Sequence, residues 1–350
     1  MKHIEFYNRD KETMELTRIL STDPTLITFV YGPINSGKTE LITNLIKNLP
    51  KSQKVFYINL RGRFISNYDE FIQVLFDVEH DARYERIKEF LKPVANVLPE
   101  SYSGIPIPKD LFLKLFKEKE VEDAFVYIEN VLRAFYKDDH PPVLVIDELQ
   151  VIGDLKVDDL LIYKLFNFFV RLTKEKHLAH VFVATSDSLF LEQVYTEAML
   201  SGRCRYLLVD DFDYETTIDF LDRYNFSDEE KSVVWDCCGG KPVCLVEMAN
   251  AKVNRKDVAG EAKKFLKIKT SQILSIFDEI ALGKIEYSEE ALIGEFKNFE
   301  EEELVQYDKV TKEKIFLVER NVLFIDPTQR TIKPQSRLNL LAIREVLRNA

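Results

Sequence analysis

The sequence predicts an α/β protein built around a parallel sheet. Short apolar runs rich in β-branched and aromatic residues recur in the first part of the chain, as is typical of strands that are buried on both faces. Stretches with helical periodicity separate these runs. Polar residues follow the ends of three of the runs, at the edge where open parallel sheets bind their ligands. These three observations indicate both the fold class and the place of a functional site.

The composition is that of an ordinary globular chain. Of its 350 residues, 46% are hydrophobic and 31% are charged, which is typical of soluble domains. This length exceeds what one hydrophobic core usually organises, so we expect two or three domains. The first residues are too polar for a signal peptide, and no apolar run is long enough to cross a bilayer. We therefore expect a cytoplasmic protein without a membrane partner.

The cysteines and histidines show no pattern of metal ligands. The four cysteines lack the paired C-x-x-C spacing of a zinc site and do not form a disulfide framework, and the five histidines are scattered. The sequence therefore predicts no structural metal.

The net charge of −11 bears on possible partners. Indiscriminate binding of nucleic acid depends on a basic surface that neutralises phosphates, and an acidic chain argues against it. The last 20 residues, however, contain four basic residues and one acidic residue, Glu345. The basic residues are Lys333, Arg337, Arg344 and Arg348. A local basic face therefore stays open as an alternative.

The first predicted strand, TLITFVY at residues 25–31, leads directly into the stretch GPINSGKTE. Apolar residues at helical spacing follow, and Pro50 ends that helix. Gly32 and Gly37 let the backbone curl so that successive N–H groups point inward, and the helix N-terminus adds a partial positive charge. The pattern G-x-x-x-x-G-K-[ST] between a strand and a helix is typical of a phosphate-binding loop. The alternative is a glycine-rich turn that contains Lys-Thr by coincidence.

This loop predicts a nucleotide with a metal ion. Lys38 would reach the β and γ phosphates, and the Thr39 hydroxyl would bind Mg²⁺. The predicted nucleotide-binding residues of the loop are Gly32, Pro33, Ile34, Asn35, Ser36, Gly37, Lys38, Thr39 and Glu40. The predicted cofactors are ATP or ADP together with Mg²⁺.

A carboxylate pair follows a second buried strand, in PPVLVIDELQ. Residues 143–146 form a continuous apolar run, and Asp147 follows at its carboxyl end. Asp147 would bind Mg²⁺, and Glu148 would polarise an attacking water as general base. In the alternative interpretation, the Asp-Glu pair merely begins an exposed loop. The pair favours a water-activating ATPase over a simple nucleotide kinase.

The third strand is predicted in HVFVATSDS, at residues 180–188. Thr185 or Ser186 at its end would touch the γ-phosphate or the attacking water. Alternatively, Ser186 or Asp187 caps a helix that begins near Leu189, because Ser and Asp are preferred N-cap residues. Both interpretations can hold for neighbouring residues.

A long insertion is predicted between the strand of residues 54–60 and the strand that precedes Asp147. About 80 residues lie between them, too many for a plain crossover. We interpret residues 62–140 as an insertion that is mainly helical, with a looser stretch, LPESYSGIPIP, at residues 98–108. Nothing in the insertion is diagnostic of a function.

The order of these motifs resembles that of archaeal ATPases in the STAND and AAA-related group of P-loop NTPases. The resemblance covers most of residues 1–250 and rests on IEFYNRDKETMELTRIL, GPINSGKT, VLVIDELQ, VFVATSDS, LSGRCRYLLVDDFDYETTIDFL and CGGKPVCLVEM. It implies a P-loop NTPase core of the ASCE and AAA-like type, followed by a helical lid.

The resemblance also implies roles for three residues outside the loop. Arg9, within Phe6–Asp10, would line the adenine side of the pocket, and Pro242 of GGKP would lie over the adenine from the lid. Arg203 would sense the nucleotide, in cis or across a subunit contact. Each residue has a plainer alternative, namely a helix start, a helix-opening proline and a solvated surface arginine.

The last part of the chain, residues 254–350, carries no catalytic motif. Helical periodicity in EALIGEFKNFEEEEL and LNLLAIREVLRNA flanks two short strands predicted around a turn at residues 326–329. Helices followed by a hairpin suggest a winged-helix-like domain, as the related ATPases carry. The acidic run at residues 300–303 is interpreted as a solvated helix face. Such a domain can bind DNA or a protein, or fold back on the nucleotide site, and these alternatives stay open.

We therefore predict a core over residues 1–212, a lid over 213–283 and a winged-helix-like domain over 284–350. The predicted function is Mg²⁺-dependent ATP hydrolysis that acts as a nucleotide-controlled conformational switch. The predicted catalytic residues are Glu148, Lys38, Asp147 and Arg203. One alternative is a DNA-associated ATPase whose C-terminal domain binds duplex DNA, and another is a nucleotide-bound scaffold that hardly hydrolyses. The oligomeric state is left open.

Overall fold

The centre of the computed structural model is a parallel sheet. The strands of the core are β1 Ile27–Tyr31, β2 Val55–Asn59, β3 Phe76–Val78, β4 Ser101–Ser103, β5 Ile105–Ile107, β6 Val143–Asp147, β7 His180–Thr185 and β8 Cys204–Leu208. Six of them pair in the order β4-β2-β6-β7-β1-β8, with every neighbouring pair parallel. The predicted α/β fold with a parallel sheet is confirmed.

The structure describes residues 6–63, 65–78, 101–118, 121–136, 140–152, 161–197 and 200–349. The helices of these ranges are α1 Asp10–Leu20, α2 Lys38–Asn48, α3 Tyr68–Leu75, α4 Lys109–Glu118, α5 Val121–Phe135, α6 Leu161–Val170, α7 Ser188–Thr196, α8 Tyr214–Asp222, α9 Asp228–Cys238, α10 Pro242–Val253, α11 Val258–Ala281, α12 Glu289–Lys297, α13 Lys312–Glu319 and α14 Arg337–Asn349. None of the described helices combines the length and the apolar character that a bilayer span demands.

Helices cover both faces of the sheet. Successive side chains of a strand point to opposite faces, so each central strand contributes to an apolar cluster on either side. In β1, Phe29 belongs to a large apolar cluster that includes Phe166 of α6. Its neighbour Val30 belongs to a second cluster with Leu41 and Ile42 of α2. All five residues of β1 are buried. The continuous apolar run in the sequence reflects this two-sided burial.

The insertion predicted as mainly helical also contributes strands. Three described helices, α3, α4 and α5, lie within it. The stretch predicted as loose contains β4, which pairs with β2 at the edge of the central sheet, and β5, which pairs with β3. The prediction was wrong there because strands of three residues are too short to show a periodic pattern, and their pairing depends on distant residues. Residues 79–100 lie outside the described residues.

The C-terminal part combines helices with a small antiparallel sheet. Its strands are β9 Val305–Gln306, β10 Leu323–Asp326 and β11 Thr331–Pro334, in the order β10-β11-β9. The predicted hairpin around residues 326–329 is therefore confirmed. The acidic run at residues 300–303, however, follows the end of α12 and is not a helix face. The Arg344 guanidinium donates hydrogen bonds to the backbone carbonyls of Phe299, Glu301 and Glu302, which hold the run in an irregular conformation.

The long helix α11 links the lid to the C-terminal part. Val258 and Ala262 at its start pack in an apolar cluster with residues of α8, α9 and α10. Ile273 and Ile276 further along pack in the cluster of α12, α13, α14 and the small sheet. One 24-residue helix thus contributes to both cores. The division at residues 212 and 283 stays a prediction.

Candidate functional site

The glycine loop and the Asp147 carboxylate meet at the carboxyl end of the sheet. The Thr39 hydroxyl, in the first turn of α2, donates to Asp147 Oδ2 at 2.9 Å. The Tyr57 hydroxyl, from β2, donates to the same oxygen at 2.8 Å. Asp147 is 1% exposed. Burial raises the pKa of Asp147, and the hydrogen bonds from Tyr57 and Thr39 lower it in part.

Two glycines give the loop its shape. Gly37 caps α2 with a φ of 94°, which side-chain-bearing residues rarely adopt. A Cβ on Gly32 would lie 2.1 Å from the carbonyl oxygen of Val209, the residue that follows β8. The loop therefore lies directly against the end of the neighbouring strand, and neither position tolerates a larger residue.

Lys38 is buried within this loop. Its ammonium donates to the carbonyls of Gly32 at 3.0 Å and Pro33 at 2.9 Å, and its side chain is largely inaccessible to solvent. Burial lowers the pKa of Lys38 to about 8, although the nearby Glu148 carboxylate raises it in part. The cation is thus held at one end of the loop, where it faces a carboxylate.

Glu148 is the acceptor in a network of donors. Arg61 Nη2 and Gln150 Nε2 each donate to its carboxylate at 2.5 Å, and Ser186 Oγ donates at 3.2 Å. Burial raises the pKa of Glu148, but the hydrogen bonds from Arg61 and Gln150 outweigh it, so the pKa lies below its usual value. Glu148 is therefore ionised at neutral pH.

The polar residues at the end of β7 make two kinds of contact. Asp187 caps α7, because its carboxylate accepts from the backbone N–H groups of Leu189 and Phe190. Ser186 contacts Glu148, and Thr185 Oγ1 donates to Gln150 Oε1 at 2.8 Å. The predicted helix cap is therefore confirmed for Asp187, and contact of Thr185 or Ser186 with the γ-phosphate or the attacking water stays a prediction.

Sequence reasoning missed Tyr57, Arg61 and Gln150. Tyr57 and Arg61 lie in and after β2, which pairs with β6 so that Asn59 stands opposite Asp147. No local pattern reveals which strand neighbours β6. Only the position of Gln150, three residues after Asp147, offered a signal in the sequence.

A cavity of about 370 Å³ opens beside the loop. Its apolar lining comes from three separate parts of the chain, and it borders Ser36 and Gly37 of the loop. The apolar lining residues are Phe6, Tyr7, Phe212, Phe220, Pro242 and Leu245. Pro242, the first residue of α10, therefore lines this cavity, and its predicted place over the adenine stays a prediction.

Arg9 joins the glycine loop to the segment after β8. Its guanidinium donates to the carbonyls of Ser36 and Asp210, both at 2.6 Å. It also lies 4.5 Å above the centre of the Phe212 ring. The residue borders the cavity, but its donors are engaged with backbone carbonyls.

Comparison with known proteins identifies the domain that contains this site. The model of an ATPase domain predominantly from Archaea matches residues 6–248. The chain belongs to this archaeal ATPase family. Residues 260–347 match a second model, the C-terminal domain of MJ1010-like uncharacterized ATP-binding proteins. The chain is thus an ATP-binding protein with an ATPase domain.

Archaeal relatives match the chain over almost its full length. The uncharacterized ATP-binding protein PYRAB09480 of Pyrococcus abyssi is 48% identical over 343 residues, which cover 98% of each chain. The uncharacterized ATP-binding protein MJ1659 of Methanocaldococcus jannaschii is 44% identical over 353 residues, again 98% of each chain. Among solved structures, the Walker-type ATPase PABY2304 of Pyrococcus abyssi matches with a TM-score of 0.64 at 16% identity, covering 97% of this chain and 96% of that one. That likeness shows the fold alone.

Arg203 does not lie at this site. Its carbonyl accepts from the N–H of Ile27 at the amino end of β1, whereas the glycine loop follows the carboxyl end. Five strand residues at about 3.3 Å each separate the two ends by roughly 16 Å. The prediction that Arg203 senses a nucleotide bound by its own chain is therefore wrong. A role across a subunit contact stays a prediction.

Proposed function

We propose that this archaeal ATPase hydrolyses ATP in a Mg²⁺-dependent reaction and that the reaction switches the positions of its lid and C-terminal part. The contact between the Thr39 hydroxyl and Asp147 Oδ2, at 2.9 Å, carries this proposal. It joins a phosphate-binding loop to the carboxylate that a hydrolytic metal site needs. Lys38 and Glu148 lie beside that contact, so a cation and an ionised carboxylate flank it.

ATP fits this arrangement at both ends. The N–H groups at the start of α2 and the ammonium of Lys38 suit the phosphates. The apolar cavity suits the adenine ring, because it borders the loop at Ser36 and Gly37 and its lining includes four aromatic residues, Phe6, Tyr7, Phe212 and Phe220. Arg9, which ties Ser36 to the wall of the cavity, would fix the distance between the two subsites.

Thr39 and Asp147 are suitable ligands for Mg²⁺. Both offer oxygen atoms, which this hard cation prefers. Within the described ranges, no group of three or more His, Cys, Asp and Glu side chains is close enough to hold a metal by itself. That pattern suits Mg²⁺, which usually takes one or two protein ligands and completes its shell with phosphates and water. When bound, the ion neutralises charge on the β and γ phosphates.

Glu148 would handle the proton of the attacking water. Gln150 and Ser186 hold its carboxylate from one side, and Arg61 from another. The water oxygen would form a bond to the γ-phosphorus while the bond to the ADP oxygen breaks, and Glu148 would accept the water's proton. Lys38 would offset the negative charge that develops on the phosphate oxygens.

Replacement of the metal-binding carboxylate tests the proposal. We expect Asp147→Asn to lower Mg²⁺-dependent release of phosphate from ATP about 100-fold, because the amide keeps the shape of the side chain but loses its charge. The assay is a Mg²⁺ titration of steady-state hydrolysis, with EDTA as the metal-free point. Asp187→Asn is the matched control, since asparagine also caps a helix and Asp187 serves α7 alone. Equal activity of Asp147→Asn and the wild type would exclude this site as the centre of hydrolysis.

ATP affinity is expected to fall as the pH rises through about 8. Burial lowers the pKa of Lys38 to about 8, and bound phosphates would raise it again. Binding above that pH therefore takes up a proton, and affinity falls by up to about tenfold per pH unit, whereas below it Lys38 is already charged and this dependence disappears. Titration calorimetry from about pH 7.5 to 9.5 measures the effect. Lys38→Arg should flatten the profile, because a guanidinium stays charged throughout; an equally steep profile in that variant would assign the proton to another group.

We infer that the switch acts through the contact between the lid and the loop. Lys241, in the GGKP element, donates to the carbonyl of Ile34 at 3.1 Å and pairs with Asp211 at 2.8 Å. The lid thus contacts the glycine loop, whose shape would depend on the bound nucleotide. A change between ATP and ADP would bias two positions of the lid relative to the core. We retain the parts proposed from the sequence, a core over residues 1–212 and a lid over 213–283, as the moving units.

The DNA-binding alternative finds no support in the tail. Three of its basic residues are engaged within the chain, because Lys333 pairs with Asp210, Arg337 pairs with Glu303, and Arg344 binds backbone carbonyls. These residues do not form one free basic face for a duplex. A protein partner for the C-terminal part is the better proposal.

A further inference from the structure

One residue of the glycine loop is held by two separate parts of the chain. The N–H of Ile34 donates to Oε1 of Gln335, which follows β11 in the C-terminal part, at 3.1 Å. The carbonyl of the same residue accepts from Nζ of Lys241 in the lid, also at 3.1 Å. Both polar groups of the Ile34 backbone are therefore bound by elements outside the core, more than 200 residues along the chain.

Gln335 is fixed in the orientation that this contact needs. The side chain is 3% exposed. Its Nε2 donates to the carbonyl of Leu323 in β10 at 3.1 Å, and its backbone N–H donates to Val322. Because the amide nitrogen is engaged with the hairpin, the amide oxygen faces the loop. A buried amide with both ends in use positions its partner firmly, and loss of one bond leaves a buried group unsatisfied.

The hairpin of β10 and β11 contacts the surroundings of the loop at two more points. Tyr31 is the last residue before Gly32, and its hydroxyl donates to Asp326 Oδ1 at 3.0 Å. Lys333 pairs with Asp210, whose carbonyl also accepts from Arg9. The hairpin thus touches the strand that enters the loop, the loop itself and the segment on its other side.

These contacts lie at the end of the loop that would meet the γ-phosphate. Lys38 Nζ donates to the carbonyls of Gly32 and Pro33, the two residues before Ile34. A lysine in this position reaches the β and γ phosphates. The Ile34 backbone would therefore lie near the γ-phosphate, the group that distinguishes ATP from ADP.

We propose that Gln335 is a positioning residue that couples the C-terminal hairpin to the γ-phosphate through Ile34. The inference rests on the proposed binding of ATP at the glycine loop. With ATP bound, the loop keeps the shape in which the Ile34 N–H donates to Gln335. With ADP bound, this hydrogen bond is weaker and the hairpin is held less firmly against the loop. Coupling of this kind is reciprocal, so a protein that binds the hairpin surface would change the preference for ATP over ADP.

Nucleotide affinities of a Gln335 variant test the coupling. We expect Gln335→Met, which keeps the length of the side chain but removes the acceptor, to weaken binding of the β,γ-imido analogue of ATP about 2- to 10-fold, the value of one hydrogen bond. ADP affinity should change less than about twofold, because ADP lacks the γ-phosphate that would lie near Ile34 of the loop. The control is Ser188→Ala, which removes another bond to the hairpin, from the N–H of Ile325 at 3.3 Å, but leaves the bond between Ile34 and Gln335 in place. It should leave the ratio of the two affinities unchanged.

Hydrogen exchange of the wild-type chain gives a second measurement that needs no variant. Amides of residues 323–335 and of Ile34 should exchange more slowly with the ATP analogue than with ADP. The coupling would be overturned if both nucleotides bound tightly with equal exchange and Gln335→Met left the ratio of the two affinities unchanged. Nucleotide binding at the loop would still stand in that case. If the wild type bound neither nucleotide, the proposed function and the coupling would both fail.

Discussion

Lys38→Ala is expected to lower ATP affinity about 100-fold and to abolish measurable hydrolysis. Two charge-assisted hydrogen bonds to phosphate oxygens are worth roughly 1.5 to 3 kcal/mol each, and alanine removes both. The same change removes the only cation shown within the loop to balance the charge of the γ-phosphate during hydrolysis. Titration calorimetry with the imido analogue measures the first effect, and phosphate release from ATP measures the second.

The fold of this variant should stay intact. Burial lowers the pKa of Lys38 to about 8, so the charged form costs the folded state on the order of 3 kcal/mol at neutral pH. Alanine relieves that cost, which offsets the loss of the bonds to Gly32 and Pro33. Lys174→Ala, at an exposed position near the amino end of β7, is the matched control and should bind ATP normally. Undiminished turnover of Lys38→Ala would refute the assignment of the loop.

Glu148→Gln is expected to lower the rate of hydrolysis at least about 100-fold while ATP affinity stays within about twofold. The amide keeps the length of the side chain, its oxygen can still accept from Arg61, and its NH2 group can donate to the Ser186 hydroxyl, so we expect the side chain to keep its position. It cannot accept a proton from water, so the chemical step fails. Single-turnover hydrolysis and equilibrium binding of ATP separate the two quantities.

The control for this substitution is Glu319→Gln, the same chemical change at an exposed position at the end of α13. It should hydrolyse ATP at the wild-type rate. If Glu148→Gln also retained that rate, Glu148 would not be the base, and the chain would be better described as a scaffold that holds nucleotide with little hydrolysis.

The architecture near the site was predictable from short segments. The strand before Gly32, the loop and α2 span little more than 20 residues, and each has a local cause, such as two-sided burial or a glycine with positive φ. The same holds for the strand that ends at Asp147. Because parallel strands bring their carboxyl ends to one edge, two such motifs must meet, and the structure places Thr39 against Asp147.

The errors have one cause in common. Arg203 looked like a site residue because of its sequence context, but its position at the amino end of β8 depends on how β8 pairs with β1. The strand β4 was missed because its three residues show no pattern without β2 beside them. In both cases the decisive partner is distant in the sequence.

Local sequence patterns were enough to predict the parallel-sheet class, the glycine loop, the carboxylate pair and two short strands around a turn at residues 326–329. Tertiary structure alone decided that Arg61 holds Glu148 across 87 residues and that Gln335 holds Ile34 across 301. Backbone dihedrals, caps and burial periodicity arise from neighbouring residues, so a short segment specifies them. A hydrogen bond between distant side chains depends instead on strand order and on how whole elements pack, which no local pattern encodes.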